Sequence, residues 1–161
     1  MIVVSDTSPI TSLAGIGRLE LLQQLYSIVI IPQAVYDEMV RVGKAVPGAL
    51  EVQTFAWIKT QQVSDFDRVS VLQADLDPGE AEAIILAMEL NAELLLMDER
   101  SGRNIALSYG INVSGVLGVL LEAKRKGLIS AVKPLMDQLI NDVEFRVSSQ
   151  LYTIILQSAG E

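Results

Sequence analysis

Met1-Ile2-Val3-Val4-Ser5-Asp6-Thr7-Ser8-Pro9 opens the chain with an apolar run that stops on a carboxylate and passes at once into helix-start chemistry. The β-prone residues up to Val4, bounded by polar ones, fit a short strand buried on both faces, as in a parallel sheet. Ser8 and Pro9 supply an N-cap and a proline at the first helical position. A strand therefore delivers Asp6 to a helix mouth. In open α/β sheets, ligands bind outside the carboxyl ends of the strands, which makes Asp6 a candidate site residue. Taken alone it reads more readily as a surface turn aspartate, so the question is whether other acids join it.

The same strand-then-helix pattern recurs along the chain. From Ile10 to Tyr26, apolar residues keep a helical period broken at Gly15-Ile16-Gly17, which predicts two short helices or one broken one. Ser27 to Ile31 is a second buried strand, followed by Pro32 and a helix from about Gln33 to Val42 that ends near Gly43. Its apolar face is Val35, Met39 and Val42, with Glu38 on the flank of that face and Asp37 turned to water. Lys44 to Gly48 reads as a loop, Ala49 to Phe55 as a short helix, Trp57 to Thr60 as a third strand, and Val69, Val71 and Leu72 as part of another helix. Asp77-Pro78-Gly79-Glu80 then opens a long helix running to about Asn91, with Asp77 as cap, Pro78 at the first position and Glu80 at the third.

Glu80 has two readings. One is half of a capping box with Asp77. The other follows from the helical wheel, on which Ala81, Ile84, Ala87 and Met88 spread around the direction of Glu80, while Glu82 and Glu89 lie opposite in solvent. A carboxylate on a buried face is costly unless paired or bound to a metal, so Glu80 is a second site candidate. Glu93 to Met97 is a fourth strand ending in Asp98, which makes Asp98 the counterpart of Asp6. A helix follows from about Ser101 to Ser108, then a fifth strand over Ile111 to Ser114. Further helices span Val116 to Lys126, Ser130 to Ile140 and Ser148 to Gln157. The basic triplet Lys124-Arg125-Lys126 reads as a complement to the dipole of its helix or as a contact for nucleic acid.

Strands alternating with helices predict a three-layer α/β/α fold on a parallel sheet of about five strands with right-handed crossovers. The pattern does not fix the strand order. A chain of 161 residues suits one domain, since about this length buries roughly two-thirds of its unfolded surface. The C-terminal helices, about residues 128–161, are expected to pack on that core or on a second copy. No apolar run approaches the ~20 residues of a membrane helix, and no basic leader precedes the first strand, so a cytoplasmic protein is expected.

Composition narrows the chemistry. The sequence has no cysteine and no histidine, which removes thiol and Ser-His catalysis, the usual zinc ligands and imidazole acid-base work. Twenty acids against twelve bases give a net charge of −8, unfavourable for a general nucleic-acid binder. The objection weakens if several of the acids bind a cation. Asp6, Glu38, Glu80 and Asp98 come from four separate segments, and such a carboxylate set suits a hard divalent ion and metal-assisted phosphodiester hydrolysis. Arg100 and Arg103, just beyond Asp98, are candidates for contacting a nucleic-acid backbone or are simply solvated helix arginines.

At these residues the sequence resembles the PIN domains, and among them the VapC-like toxin ribonucleases and their relatives. The matching stretches are Val4-Ser5-Asp6-Thr7-Ser8-Pro9, the glutamate of Tyr36-Asp37-Glu38-Met39, Asp77-Pro78-Gly79-Glu80-Ala81-Glu82-Ala83, and Leu94-Leu95-Leu96-Met97-Asp98-Glu99 on to Gly102-Arg103. The resemblance covers nearly the whole chain. It implies that the first and fourth strands lie side by side, so that Asp6 and Asp98 would meet. It also implies Mg²⁺- or Mn²⁺-dependent RNA cleavage with Asp6, Glu80 and Asp98 on the metal, homodimers or higher oligomers, and an antitoxin partner. The family's further acid or amide beyond the fourth-strand aspartate has no plain match, since Glu99 is adjacent and Ser101 stands beyond; these two and Ser8 are additional site candidates. Two competing readings are a haloacid-dehalogenase-type phosphatase, which needs a second aspartate where Ser8 stands, and a non-catalytic interaction or nucleic-acid-binding module whose acids only cap helices.

Overall fold

The structure, a computed structural model, describes residues 1–41 and 45–161. Its five strands form one parallel sheet in the order β3-β2-β1-β4-β5: β1 (Val3–Ser5), β2 (Val29–Pro32), β3 (Ile58–Gln61), β4 (Leu94–Leu96) and β5 (Val113–Ser114). β1 and β4 are neighbours, with Val3 opposite Leu94, Val4 opposite Leu95 and Ser5 opposite Leu96. The chain moves outward from β1 to β2 and β3, then returns to the far side of β1 at β4. That reversal of strand order is the switch point at which open α/β sheets place their ligands.

Helices cover both faces, and the two-residue period of each strand decides which residue serves which side. Val3, Val29, Ile31 and Leu96 point into a core shared with α1 (Thr7–Gly15), α2 (Glu20–Tyr26), α3 (Gln33–Met39), α4 (Ala49–Thr54) and α8 (Val116–Arg125). Val4, Leu95 and Met97 point into a second core with α5 (Phe66–Leu72), α6 (Pro78–Glu89) and α7 (Arg100–Ser108). This is the three-layer α/β/α arrangement. α9 (Lys133–Asp142) and α10 (Ser149–Ser158) add Leu135, Met136, Leu139 and Ile155 to the first core. The side chain of Glu161 accepts from the backbone amides of Val132 and Lys133 at the start of α9 and from Lys124 Nζ. Lys124 and Arg125, two of the three cations of the basic triplet, are thus engaged by Glu161 and Glu122.

Several expectations shift. The start of the first helix moves: α1 begins at Thr7 with Asp6 at its N-cap position, so Ser8 and Pro9 stand inside it rather than at its start, while of the two readings for Ile10 to Tyr26 the two-helix one holds. The third helix was expected to run to Val42 and end near Gly43; the structure gives it as Gln33–Met39, and Val42, Gly43 and the start of the Lys44 to Gly48 loop lie outside the described residues. The helix expected around Val69, Val71 and Leu72 is α5, with Val69 and Leu72 buried and Val71 on its exposed side. Glu82 is the clearest correction. It is half-buried rather than solvated, and its Oε1 accepts from the backbone amide of Ala34 at 3.1 Å. α6 packs against α3 as well as the sheet, so the side of the wheel opposite Glu80 meets the first turn of α3. Glu89, exposed as expected, nevertheless receives the backbone amides of Ser64 and Asp65 ahead of α5.

Candidate active site

Four elements carry acids to the carboxyl end of the sheet. Asp6 leaves β1 with its backbone amide bonded to the Leu96 carbonyl of β4 at 2.9 Å, which fixes it at the β1–β4 seam. Its side chain is 5% exposed. Burial pushes the carboxyl up to about 7; the Thr7 backbone amide opposes this, and Asp77, Glu80 and Glu38 add repulsion.

Glu80 satisfies both of its readings. The Asp77 carboxylate accepts from the Glu80 amide at 2.8 Å and Glu80 Oε1 accepts from the Asp77 amide at 3.1 Å, a complete capping box. The side chain is nonetheless 8% exposed, and its second oxygen, Oε2, is buried without a hydrogen-bond partner among the described residues. Burial again leads in pushing this carboxyl up to about 7. Glu80 Oε2 faces the first turn of α7, where a Cβ on Gly102 would stand 3.5 Å from it.

A cavity of about 330 Å³ lies over these groups, lined by Asp6, Thr7, Ser8, Thr11, Glu38, Asp75, Asp77, Glu80, Glu99 and Ser101. Glu38 reaches it from α3, and its Oε2 accepts from the Thr7 hydroxyl at 2.9 Å. Of the residues singled out in the sequence, Asp6, Ser8, Glu38, Glu80, Glu99 and Ser101 meet at this cavity. Asp98 does not line it. Its half-buried carboxylate accepts from the Val116 amide at the start of α8 (3.0 and 3.3 Å), and burial holds it up to about 6 against the pull of that amide and of Arg103. Arg103 donates from Nη1 to the Met97 carbonyl at 3.0 Å, and Arg100 is exposed at the first position of α7.

Thr7, Thr11 and Asp75 are wall residues that sequence reasoning passed over, and Asp77 was read only as a cap. Their signal was proximity: Thr7 follows Asp6, and Asp75 and Asp77 flank a buried leucine ahead of α6.

Six carboxylates on one cavity wall, two of them holding protons near neutrality because they are buried, form a donor set of hard oxygens. Glu80 Oε2 in particular lacks the partner that a buried carboxylate oxygen requires. The residues therefore fit a divalent cation in kind. Among the described residues, no three acids are gathered into a ready-made metal-binding group.

An all-parallel five-stranded α/β/α sheet with carboxylates at its switch point places the chain among the PIN-like folds. The chain belongs to the PIN domain family: a family model described as PIN domain (DUF3368) matches residues 2–161. Among solved structures it is similar to a PilT N-terminus domain protein from the hyperthermophilic archaeon Sulfolobus solfataricus P2, at 21% identity and a TM-score of 0.54, over 76% of this chain and 93% of that one. That likeness concerns the fold. No curated protein matches. PIN domains are generally nucleases, and PIN nucleases generally use divalent metal ions. Among the described residues, no helix is long and apolar enough to cross a membrane.

Proposed function

We propose that this chain is a Mg²⁺- or Mn²⁺-dependent endoribonuclease that hydrolyses phosphodiester bonds in single-stranded or structured RNA. Asp6, Glu38, Glu80 and Asp98 are its catalytic carboxylates, and Asp6, Glu80 and Asp98 hold the ion. Ser8, Glu99 and Ser101 complete the wall, and Arg100 and Arg103 meet the RNA backbone. The proposal extends to a cytoplasmic, toxin-like component of a toxin-antitoxin pair that acts as a homodimer or higher oligomer, with residues 1–161 working as one PIN-like domain.

The observation that carries the reading is Glu80 Oε2, buried and unpartnered beside the acid-lined cavity. A buried oxygen of this kind is costly in a free protein and is satisfied by a cation. Held by these carboxylates, a divalent ion would supply neutralisation of the acids and stabilisation of charge developing on a phosphodiester. The chain's own residues prepare for this. The capping box fixes Glu80 at the mouth of α6, and Thr7 holds Glu38 toward the cavity. Asp6 and Glu80, proton-bearing up to about pH 7 in the free chain, release those protons when a cation takes their place.

The second reading, a non-catalytic module, is favoured by Asp98, whose carboxylate already caps α8. One experiment separates the two. A mixed-sequence fluorescent single-stranded RNA is incubated with Mn²⁺, with Mg²⁺ and with EDTA, using wild type and Asp98→Asn. Cleavage by wild type in either metal, lost in EDTA and in the variant, supports the nuclease. No cleavage in any lane, together with no metal binding by calorimetry, favours the module. Growth on expressing the chain with and without its chromosomal neighbour tests the toxin-like role.

A further inference from the structure

A second hollow of about 460 Å³ adjoins the acid cavity, sharing Glu38 and Asp77 with it and walled also by Ala34, Asp37, Arg41, Pro78 and Gly79. The two differ in one respect that matters to an anionic substrate. The acid cavity carries six carboxylates and, among the described residues, no cation, whereas the second hollow has the exposed guanidinium of Arg41. Its acids are already engaged: Asp77 by the Glu80 amide, Asp37 by the Gln33 side chain at 2.9 Å, and Glu38 by Thr7. Gly79 sits on the boundary. A Cβ there would stand 3.3 Å from Glu38 Oε2 and 3.5 Å from Asp6 Oδ1, so the glycine leaves these two acids uncrowded by a side chain.

RNA affinity in a chain of net charge −8 depends on where its few free cations stand, because phosphate contacts rest on arginine and lysine. Arg100 and Arg103, proposed above to meet the RNA backbone, stand outside both hollows, and Arg103 donates to the Met97 carbonyl. Arg41 follows the end of α3, three residues beyond Glu38, and its planar fork suits a phosphodiester. We infer that the second hollow is a backbone subsite in which Arg41 holds a phosphate of the RNA adjoining the bond presented to the acid cavity. Arg41 is thus a positioning residue. Substrate crosses the Gly79 boundary, with its neighbouring phosphate on Arg41 and the reacting one over the acids.

This inference rests on the nuclease reading, and separate binding and cleavage measurements distinguish their failures. Binding of a fluorescein-labelled 12-nucleotide single-stranded RNA is followed by anisotropy with Ca²⁺ in place of Mn²⁺ between 50 and 200 mM KCl, for wild type, Arg41→Ala, Arg41→Lys and Lys126→Ala; cleavage is followed in Mn²⁺. Arg41→Ala is expected to weaken binding about tenfold and to flatten the slope of log K against log salt by about 0.7, the loss of one phosphate contact on a single strand. In cleavage, Arg41→Ala raises KM by a similar factor. Arg41→Lys keeps the slope, and Lys126→Ala, an exposed cation outside both hollows, changes nothing. Wild-type cleavage with KM and salt slope unaltered in Arg41→Ala overturns the subsite and leaves the nuclease standing. RNA binding that depends on Arg41 without metal-dependent cleavage overturns the nuclease and keeps the subsite. Absence of RNA binding by wild type overturns the subsite.

Discussion

The Thr7 hydroxyl donates to Glu38 Oε2 at 2.9 Å, so the residue that follows the β1 aspartate also holds the acid of α3. Two segments separated by thirty-one positions are tied together at the wall of one cavity. Thr7→Val keeps the shape and removes the donor, which costs about 1 kcal/mol of stability or less for a partly buried bond. Its larger expected effect is on function: metal-dependent RNA cleavage falls about tenfold, while Thr7→Ser keeps both. Urea denaturation and Mn²⁺-dependent cleavage on the same preparations check this. A fully active Thr7→Val protein would remove Glu38 positioning from the scheme.

Glu80 carries two roles that substitution can separate. Glu80→Gln retains an oxygen for the Asp77 amide and discards the charge whose burial is unfavourable, so α6 stays capped and the metal-free protein is at least as stable as wild type at pH 8. Glu80→Ala loses the reciprocal half of the capping box and is destabilised by about 1 kcal/mol. Both abolish metal-dependent cleavage and weaken Mn²⁺ binding measured by calorimetry. Retention of wild-type Mn²⁺ affinity in Glu80→Gln would confine Glu80 to its cap.

The ease with which Glu80 was found, and the difficulty with its neighbours, comes from how far each signal reaches. Asp77-Pro78-Gly79-Glu80 is local chemistry, and a wheel drawn on α6 alone finds the buried side of Glu80. The strands announce themselves likewise, since Val3-Val4 and Leu94 to Leu96 are apolar on both faces and need two covering layers. A wheel drawn on α6 alone turns Glu82 to water because its partner, the Ala34 amide, lies forty-eight positions away on a second helix. Strand order was equally invisible to periodicity, and the family resemblance implied only the adjacency of the first and fourth strands. The turn of Asp98 toward Val116 depends on where α8 begins relative to β4, a tertiary relationship that no motif encodes.

The buried carboxyls make the metal-free fold sensitive to pH in an unusual direction. Asp6 and Glu80 are pushed up to about 7 and Asp98 to about 6, each chiefly by burial, from ordinary values of 3.8, 4.5 and 3.8. The folded state therefore holds protons that the unfolded chain has released, and stability from these groups is full below about pH 4 and declines as pH rises toward 7. Glu161, held down to about 2 by the Val132 and Lys133 amides, acts in the opposite sense, but only below about pH 4.5. Between pH 5 and 8 the acids of the site dominate. In EDTA the melting temperature is expected to fall by roughly 3 °C or more from pH 5 to pH 8, about what a 1 kcal/mol loss gives at this size. Mn²⁺ should restore it at pH 8 and do little at pH 5, where protons compete for the same oxygens. A metal-free melting temperature that rises over this range contradicts the account.

Gly115 bears on the role of Asp98. Its backbone is extended, at φ −123° and ψ −170°, which any residue adopts, so the glycine is needed for space rather than conformation. A Cβ at this position would run into Asp98 Oδ1 and stand 3.1 Å from Arg103 Nη1. Gly115→Ala is therefore expected to push the Asp98 carboxylate off the Val116 amide, costing about 1–3 kcal/mol as an overpacked contact and lowering cleavage at least tenfold. Asp98→Asn acts differently. Asparagine keeps an acceptor for the Val116 amide, and Asp and Asn cap helices about equally, so stability stays within about 0.5 kcal/mol of wild type. Activity is nevertheless expected to vanish with the charge. Denaturation midpoints and Mn²⁺-dependent cleavage for the two variants decide between site and scaffold. If Asp98→Asn cleaves as well as wild type while Gly115→Ala is merely less stable, Asp98 serves α8 as its cap and leaves the catalytic set to Asp6, Glu38 and Glu80.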